Sequence, residues 1–441
     1  MKSRYRLWLK EHGIPFFGLA FFVFCYILYI HKSTANIVFQ DQFDLMYIIE
    51  RYKEGELSFH DLWRGHLEHR LFGYNLIFLF NSIFFHLNVY FEFYLGAFSL
   101  LVTAVLLYAK FFESLKGHIR QHNWLFYLFY LLILLLVFSL NQWENIVFSL
   151  GMYILLKNVF FLAVFISLDH LFFKGNRKGR RFLFFSFWLA LSVLVFGAGY
   201  SLAMVLSIGL VIFIKALFVQ RWNILNDLKI YGGIIGVSVL CLFIYYYKIY
   251  DDNMIMDRTS NVDKMLFVLQ HIPDAMKYFL LSVSASIFGV DFSQLYLNHH
   301  ISMLIGVVIL IIYIYSLYLY VKMKMFNVTY FPLLLIFYSF LIYGMTLIGR
   351  FDYGIDYGMA SRYVTETQLG LIGVLWIFAY SILKSEKKLP RLQMRSLLPI
   401  FMACFIAFGQ VLTNLTEIKI APHRKAYFKN LQSVALEFEN A

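Results

Sequence analysis

Eleven apolar runs mark the chain, at about residues 14–30, 90–109, 124–140, 146–168, 182–198, 200–219, 230–247, 301–321, 330–349, 369–383 and 396–413. A helix needs roughly 17 to 25 apolar residues to cross the ~30 Å of hydrocarbon in a bilayer. Inside lipid, every backbone N–H and C=O must find its partner within the chain. Runs this long and frequent predict an all-α fold, a polytopic transmembrane helical bundle of about 11 spans. Composition agrees, because 61% of the 441 residues are hydrophobic and only 15% charged. The mean hydropathy of +0.68 is too high for a water-soluble globule. The lipid bilayer is the first expected partner.

Charge placement orients the runs. Clusters at Lys2-Arg4-Arg6-Lys10, Lys110-Lys116-Arg120, Lys174-Arg177-Lys178-Arg180-Arg181, Arg221-Lys229, Lys322-Lys324 and Lys384-Lys387-Lys388-Arg391-Arg395 stand before or between them. Short basic loops stay in the cytoplasm. These loops account for the net charge of +12, so nucleic acid is not an expected partner. Keeping every cluster inside makes the N-terminus cytoplasmic. It also lays two apolar stretches, Leu71–Leu87 and Ala275–Val290, in the outer interface instead of across the membrane. The polar segments 31–70, 141–145, 248–300 and 350–368 then share the outer face with the tail 414–441. The first run ends in no small-residue cleavage site and reads as a retained anchor. Cys25, Cys241 and Cys404 lie within apolar runs, without ligand spacing or an obvious partner, and read as small buried hydrophobes. No tandem repeat or low-complexity tract divides the chain, so 1–441 reads as a single integral membrane domain.

Carboxylates, histidines and arginine crowd the segment after the first run: Gln40-Asp41-Gln42-Phe43-Asp44, then His60-Asp61-Leu62-Trp63-Arg64-Gly65-His66-Leu67-Glu68-His69-Arg70. In so apolar a chain, that density at one membrane face reads as a reaction site. A carboxylate beside His and Arg can take a proton from a hydroxyl while cations stabilise a departing phosphate. Asp41 is the candidate base. The competing reading makes Asp41 and Asp44 solvated caps of the helical pattern Leu45–Arg51. Asn141-Gln142-Trp143-Glu144-Asn145 offers a second acidic group, or else an interfacial Trp143 with Glu144 and Asn145 capping the next helix. Ser361-Arg362-Tyr363 closes the loop that begins at Arg350. Its guanidinium can grip a phosphate through two hydrogen bonds, or snorkel beside a belt tyrosine.

Together these segments resemble the GT-C superfamily of polytopic, polyprenyl-phosphate-sugar-dependent membrane glycosyltransferases of the bacterial cell-envelope type. In that family an acidic motif opens the first outer loop, and Asp41-Gln42-Phe43-Asp44-Leu45-Met46-Tyr47 stands in that place. Leu67-Glu68-His69-Arg70, leading into 71–87, looks like the family's His-containing motif before a juxtamembrane helix. Asn141–Asn145 is similar to a motif at the outer end of the third span, and Arg362-Tyr363 to an Arg-Tyr pair in a late outer loop. The resemblance implies inverting transfer of a sugar from a polyprenyl-phosphate carrier to a glycan or glycolipid acceptor, such as a cell-wall polysaccharide. The active site would lie on the extracytoplasmic face of the cell membrane. Asp41 is then the base, and Arg362, with Arg350 and Arg70, meets the leaving phosphate. Asp44, Glu68, His69, Glu144, Asn145 and Tyr363 would bind substrate. The chain departs from the family in having Asp41-Gln42 where two acids are common, and in lacking prolines after the His. A divalent cation, Mg²⁺ or Mn²⁺, on Asp41, Glu68 and Glu144 stays open, and no other cofactor is expected.

Lys157 falls near the middle of its run, where an ionised group points at a cavity or a partner. It would follow the donor's phosphate or pair with Glu92. Phe196-Gly197-Ala198-Gly199-Tyr200-Ser201 is a tight turn whose small residues permit close approach of a ligand or a helix. Asp251-Asp252 and Asn298-His299-His300 could touch an acceptor or simply be solvated, and the spacing around the histidines does not suit zinc. Neither a P-loop nor a dinucleotide glycine fingerprint is present, which favours a lipid-carried over a nucleotide-carried donor. Two rivals remain, a transporter or flippase of lipid-linked sugars and a polysaccharide polymerase or ligase.

Overall fold

A computed structural model describes residues 2–66, 69–117, 123–173, 177–197, 199–218, 224–249, 261–386 and 394–439. The chain opens with α1 (Lys2–Ser33), a 3₁₀ turn (Gln40–Leu45), α2 (Met46–Glu54) and α3 (Phe59–Trp63). A short antiparallel ribbon follows, Gly65–His66 against His69–Arg70. Then come α4 (Phe72–Phe85), α5 (Val89–Leu115), α6 (Asn123–Val137), α7 (Trp143–Val147), α8 (Ser149–Phe173), α9 (Lys178–Ala190), α10 (Ser201–Phe218) and α11 (Ile224–Tyr246). The second half comprises α12 (Asn261–Gln270), α13 (Ile272–Ala285), α14 (Val290–Tyr296), α15 (His299–Lys322), α16 (Phe331–Arg350), α17 (Val364–Glu386) and α18 (Met394–Glu439).

Nine helices among the described residues are long and apolar enough to cross a membrane. They coincide with nine of the eleven apolar runs, and the runs at 182–198 and 200–219 fall short. The first becomes α9, which starts on Lys178, Arg180 and Arg181 and ends in a π-helical turn at Leu191–Val195. The second becomes α10, apolar over Ser201–Ala216. Both still run between the two ends of α8: the Val195 carbonyl accepts from Tyr153, and Lys215 Nζ stands 5.0 Å from the centre of the Phe172 ring.

Sequence chemistry explains the ends of the elements. Asn88 caps α5 by accepting from the Tyr90 amide, and Asn298 caps α15 by accepting from Ile301. Gly55, at φ +75°, closes α2 in the left-handed conformation that suits glycine. Ser58 and Asp61 form a capping box on α3, with the Asp61 amide donating to Ser58 Oγ and the Ser58 amide donating to Asp61 Oδ2. Partial burial pushes the Asp61 carboxyl up, but Ser58 and the Arg51 guanidinium outweigh it and hold the carboxyl below the usual range.

α17 is the axis of the bundle, enclosed on all sides and packed against α6, α15, α16 and α18. A Cβ added at Gly373 would lie 2.6 Å from the Pro332 carbonyl oxygen, so α16 and α17 approach as closely as glycine allows. At the end opposite Asp41, Lys110 bridges Asp169 (2.7 Å) and Glu113 (2.9 Å), while Asp169 also accepts from the Tyr330 amide (2.6 Å). That knot joins α5, α8 and the start of α16.

Three of the segments that the sequence assigned to the outer face fold as helix, and for 71–87 a helix was the expectation. The tail after Thr413 does not leave the bundle as a polar piece, because α18 continues unbroken for 46 residues, about 69 Å of helix. Arg424 fastens it, donating to Asp291 (2.8 Å) and Glu417 (2.5 Å) while its guanidinium lies 3.6 Å from the centre of the Trp143 ring. Segment 248–300 carries α12, α13 and α14, the last two meeting at 106°. Gln410 and Gln368 donate to the carbonyls exposed at that bend. The stretch 71–87 folds as α4, whose 14 residues reach about 21 Å, less than the hydrocarbon thickness. Cys25 and Cys404 lie on the outside of the bundle and only Cys241 is buried, because α1 and α18 are peripheral and turn part of their apolar surface outward.

Candidate functional site

A cavity of about 660 Å³ lies at the end of the bundle where the ribbon, the 3₁₀ turn of Asp41 and the Arg350–Tyr363 loop converge. Ligand pockets commonly measure about 300–1,000 Å³. Its lining includes Asp41, His69, Asn145, Arg350, Arg362 and Tyr363, drawn from segments more than three hundred positions apart. Its apolar walls come from Leu150, Ile154, Leu202, Ile342, Met345 and Ile348. A space polar on one side and apolar on the other suits an amphiphile.

Asp41 is exposed on its turn, because the neighbouring Gln42 takes the buried position and fixes the backbone. Asp44 returns to the same side one turn later. The carboxylates of Asp41 and Asp44 and the ring of His66 offer ligand atoms that all lie within 4.8 Å of one another. His66 Nε2 is buried and has no hydrogen-bond partner among the described residues. Among the described residues, this group is the one with the donors to hold a divalent cation. The set the sequence left open was Asp41, Glu68 and Glu144. Glu68 lies outside the described residues, and Glu144 is committed elsewhere.

Glu144 serves Arg362. Its Oε2 accepts from Ser361 Oγ (2.9 Å) and the Arg362 amide (2.8 Å), and its Oε1 accepts from Arg362 Nη2 (3.0 Å). Asn145 Nδ2 donates to the Arg362 carbonyl (2.9 Å) and to Thr365 Oγ1 (2.8 Å). The α7 turn thus holds the Ser361-Arg362 turn on both sides. Arg362 keeps part of its fork unused, and its Nε has no partner among the described residues. Arg350 Nε donates to Tyr363 OH at 3.2 Å, and Tyr353 and Tyr357 lie beneath the two guanidinium groups, each about 6 Å from ring centre to cation.

Arg70 does not join this group. Its side chain is buried and donates to the carbonyls of Trp63, Tyr245 (2.9 Å) and Tyr247 (2.6 Å), so it braces the ribbon against α11. His69 does line the cavity, because Gly199 lets it in. At Gly199, with φ +80°, an added Cβ would stand 2.6 Å from His69 Nδ1. The close approach anticipated at the 196–201 turn is therefore that of the His69 ring.

Lys157 pairs with Glu366 at 2.8 Å and not with Glu92. Both side chains are fully buried, and Tyr338 and Asn158 complete the cluster. The Tyr200 ring, which lines the cavity, lies 4.0 Å from Lys157 Nζ and covers it. His299 meets Asp356 at 2.8 Å on the surface, joining α15 to the 355–359 turn, while Asp251-Asp252 lies outside the described residues.

His66, Tyr200, Tyr353 and Tyr357 also line the cavity, and sequence reasoning assigned none of them a role of its own. His66 had a signal, since it pairs directly with His69 across the ribbon and cross-strand partners share a face. The tyrosines had none beyond lying near Arg350 or the glycine turn, in a chain with 32 tyrosines. No known protein family, no curated protein and no solved structure matches the chain.

Proposed function

We propose that the chain is a GT-C-type membrane glycosyltransferase that moves a sugar from a polyprenyl-phosphate carrier to an extracytoplasmic glycan or glycolipid. The observation that carries this reading is a single amphiphilic cavity lined by Asp41, Arg350 and Arg362 together with apolar walls. The isoprenoid would take the apolar side and the phosphate would take the arginines. Asp41 accepts the proton of the attacking hydroxyl as the new bond to the anomeric carbon forms and the bond from that carbon to the phosphate oxygen breaks. The electron pair leaves with the phosphate, whose charge is offset by Arg362 and Arg350. Glu144 and Asn145 hold Arg362 in place before the reaction starts. Displacement from the face opposite the phosphate inverts the anomeric centre.

The topology proposed with this mechanism has eleven crossings, with α9 and α10 counted among them and the N-terminus in the cytoplasm. The basic clusters then stay inside and the cavity opens outside. Asp41, Asp44 and His66 fit a divalent cation, since two carboxylates and an orphaned imidazole nitrogen converge there. The mixed oxygen and nitrogen set favours Mn²⁺ over Mg²⁺. A cation held by these residues would supply positive charge to offset that of the phosphate.

The test is to give the purified protein polyprenyl-phosphate sugars with candidate acceptors, with and without chelator, and to measure released polyprenyl phosphate. Transfer that depends on Asp41 and Arg362 is expected. A second reading, a transporter of lipid-linked sugars, is favoured by one observation, the fully buried Lys157–Glu366 pair beneath the cavity. Under that reading Lys157→Met abolishes translocation in vesicles while Asp41→Asn does not.

A further inference from the structure

We propose that Glu92 is a positioning residue: through Gln42 it holds the turn that carries Asp41, and it requires an amide at position 42. The role of Asp41 rests on the transferase reading, whereas the grip of Glu92 on the turn rests on geometry alone.

Glu92 stands in the first turn of α5 with no exposure to solvent. One carboxylate oxygen accepts from Asn81 Nδ2 at 2.7 Å, and the other faces Tyr74 OH at 3.1 Å and Gln42 Nε2 at 3.4 Å. No ion pair to Glu92 exists among the described residues. A buried carboxylate held only by neutral donors is expensive for a fold to keep.

Gln42 is the residue that links Glu92 to the turn. The carboxamide is 2% exposed and is used at both ends. Its Oε1 accepts from the Phe39 amide at 3.2 Å, closing the start of the turn, and its Nε2 donates to Tyr74 OH at 3.0 Å and reaches Glu92. The turn Gln40–Leu45 is thereby tied to α4 and α5 through one side chain. Phe39 and Asp41, on either side of that tie, both line the cavity. A glutamate at 42 would set two buried carboxylates about one hydrogen-bond length apart, where both cannot ionise. This accounts for the amide at the place where the sequence departs from an acidic pair. The second carboxylate beside Asp41 comes from Asp44 instead.

The pairing predicts a swap. Glu92→Gln sets two amides against each other, and Gln42→Glu sets two carboxylates. The double variant Gln42→Glu with Glu92→Gln restores one acid and one amide in reversed order. In each single variant, amide hydrogen exchange over 41–45 is expected to quicken, with exchange in α17 unchanged. In the double variant, protection returns. In the transfer assay Glu92→Gln lowers kcat by about 10- to 100-fold, the cost of a misplaced catalytic group, and leaves the KM for the polyprenyl-phosphate sugar unchanged. Unaltered exchange over 41–45 in Glu92→Gln overturns the proposal, and so does a double variant no better protected than the single ones. A wild-type protein that transfers no sugar overturns the transferase reading instead, and the exchange comparison still decides the role of Glu92.

Discussion

Lys157 and Glu366 lie 2.8 Å apart with neither side chain exposed. Their sequence separation of 209 positions explains why the pairing was not legible. Hydropathy marks a costly charge inside a helix, but the partner is chosen by which helices pack together, and apolar patterning does not encode that. Removing one member leaves an uncompensated buried charge, so Lys157→Met or Glu366→Leu is expected to cost about 3–5 kcal/mol. The double variant recovers most of the loss, as thermal unfolding in detergent would show. Gly199 gives a second prediction at this scale. Alanine there meets both a positive φ and the His69 ring, so Gly199→Ala is expected to destabilise by about 1–2 kcal/mol and to weaken donor binding by displacing His69. Asp41, Arg350 and Arg362 were readable as candidates because an acid or arginine at a membrane surface stands out in an apolar sequence. Arg70 was a further candidate, but its side chain donates to backbone carbonyls that only the folded ribbon presents.

At the scale of elements, the long apolar helices were legible, because lipid leaves the backbone no alternative to internal hydrogen bonding. The continuation of α18 was not. Residues 414–433 mix charge with apolar positions, and Pro422 within them would ordinarily argue for a break. Packing decides the matter instead. Phe428 makes edge contacts with Phe39 and Phe148, two walls of the cavity, and Arg424 joins Asp291, Glu417 and Trp143. Arg424→Ala is expected to strand Glu417, to cost about 3–5 kcal/mol, and to open residues 418–433 to protease. The cap of α3 responds to pH. Asp61 has a lower pKa folded than unfolded, so its contribution is complete above about 3.9, the ordinary aspartate value, and is lost as pH falls through the folded value. Ser58→Ala removes the hydroxyl's share of that dependence, leaving the shares of the backbone amide and Arg51, together with about 1 kcal/mol of capping, measurable as faster exchange in α3 at neutral pH.

For the whole molecule, the packed helices form a frame with a polar knot at one end and the cavity at the other. The knot of Lys110, Asp169, Glu113 and Tyr330 sits at the end where the basic loops gather, and the acids and arginines of the cavity face the other way. The proposed transferase would take its donor from the membrane and its acceptor from the side on which the cavity opens. The most direct test of the central claim is the release of polyprenyl phosphate from a polyprenyl-phosphate sugar by purified wild type and by Asp41→Asn, with donor binding measured alongside. The account predicts release by the wild type and a loss of about 10²- to 10⁴-fold in Asp41→Asn, with the donor still bound. Equal release by the two proteins, or none from the wild type with any donor, would contradict it.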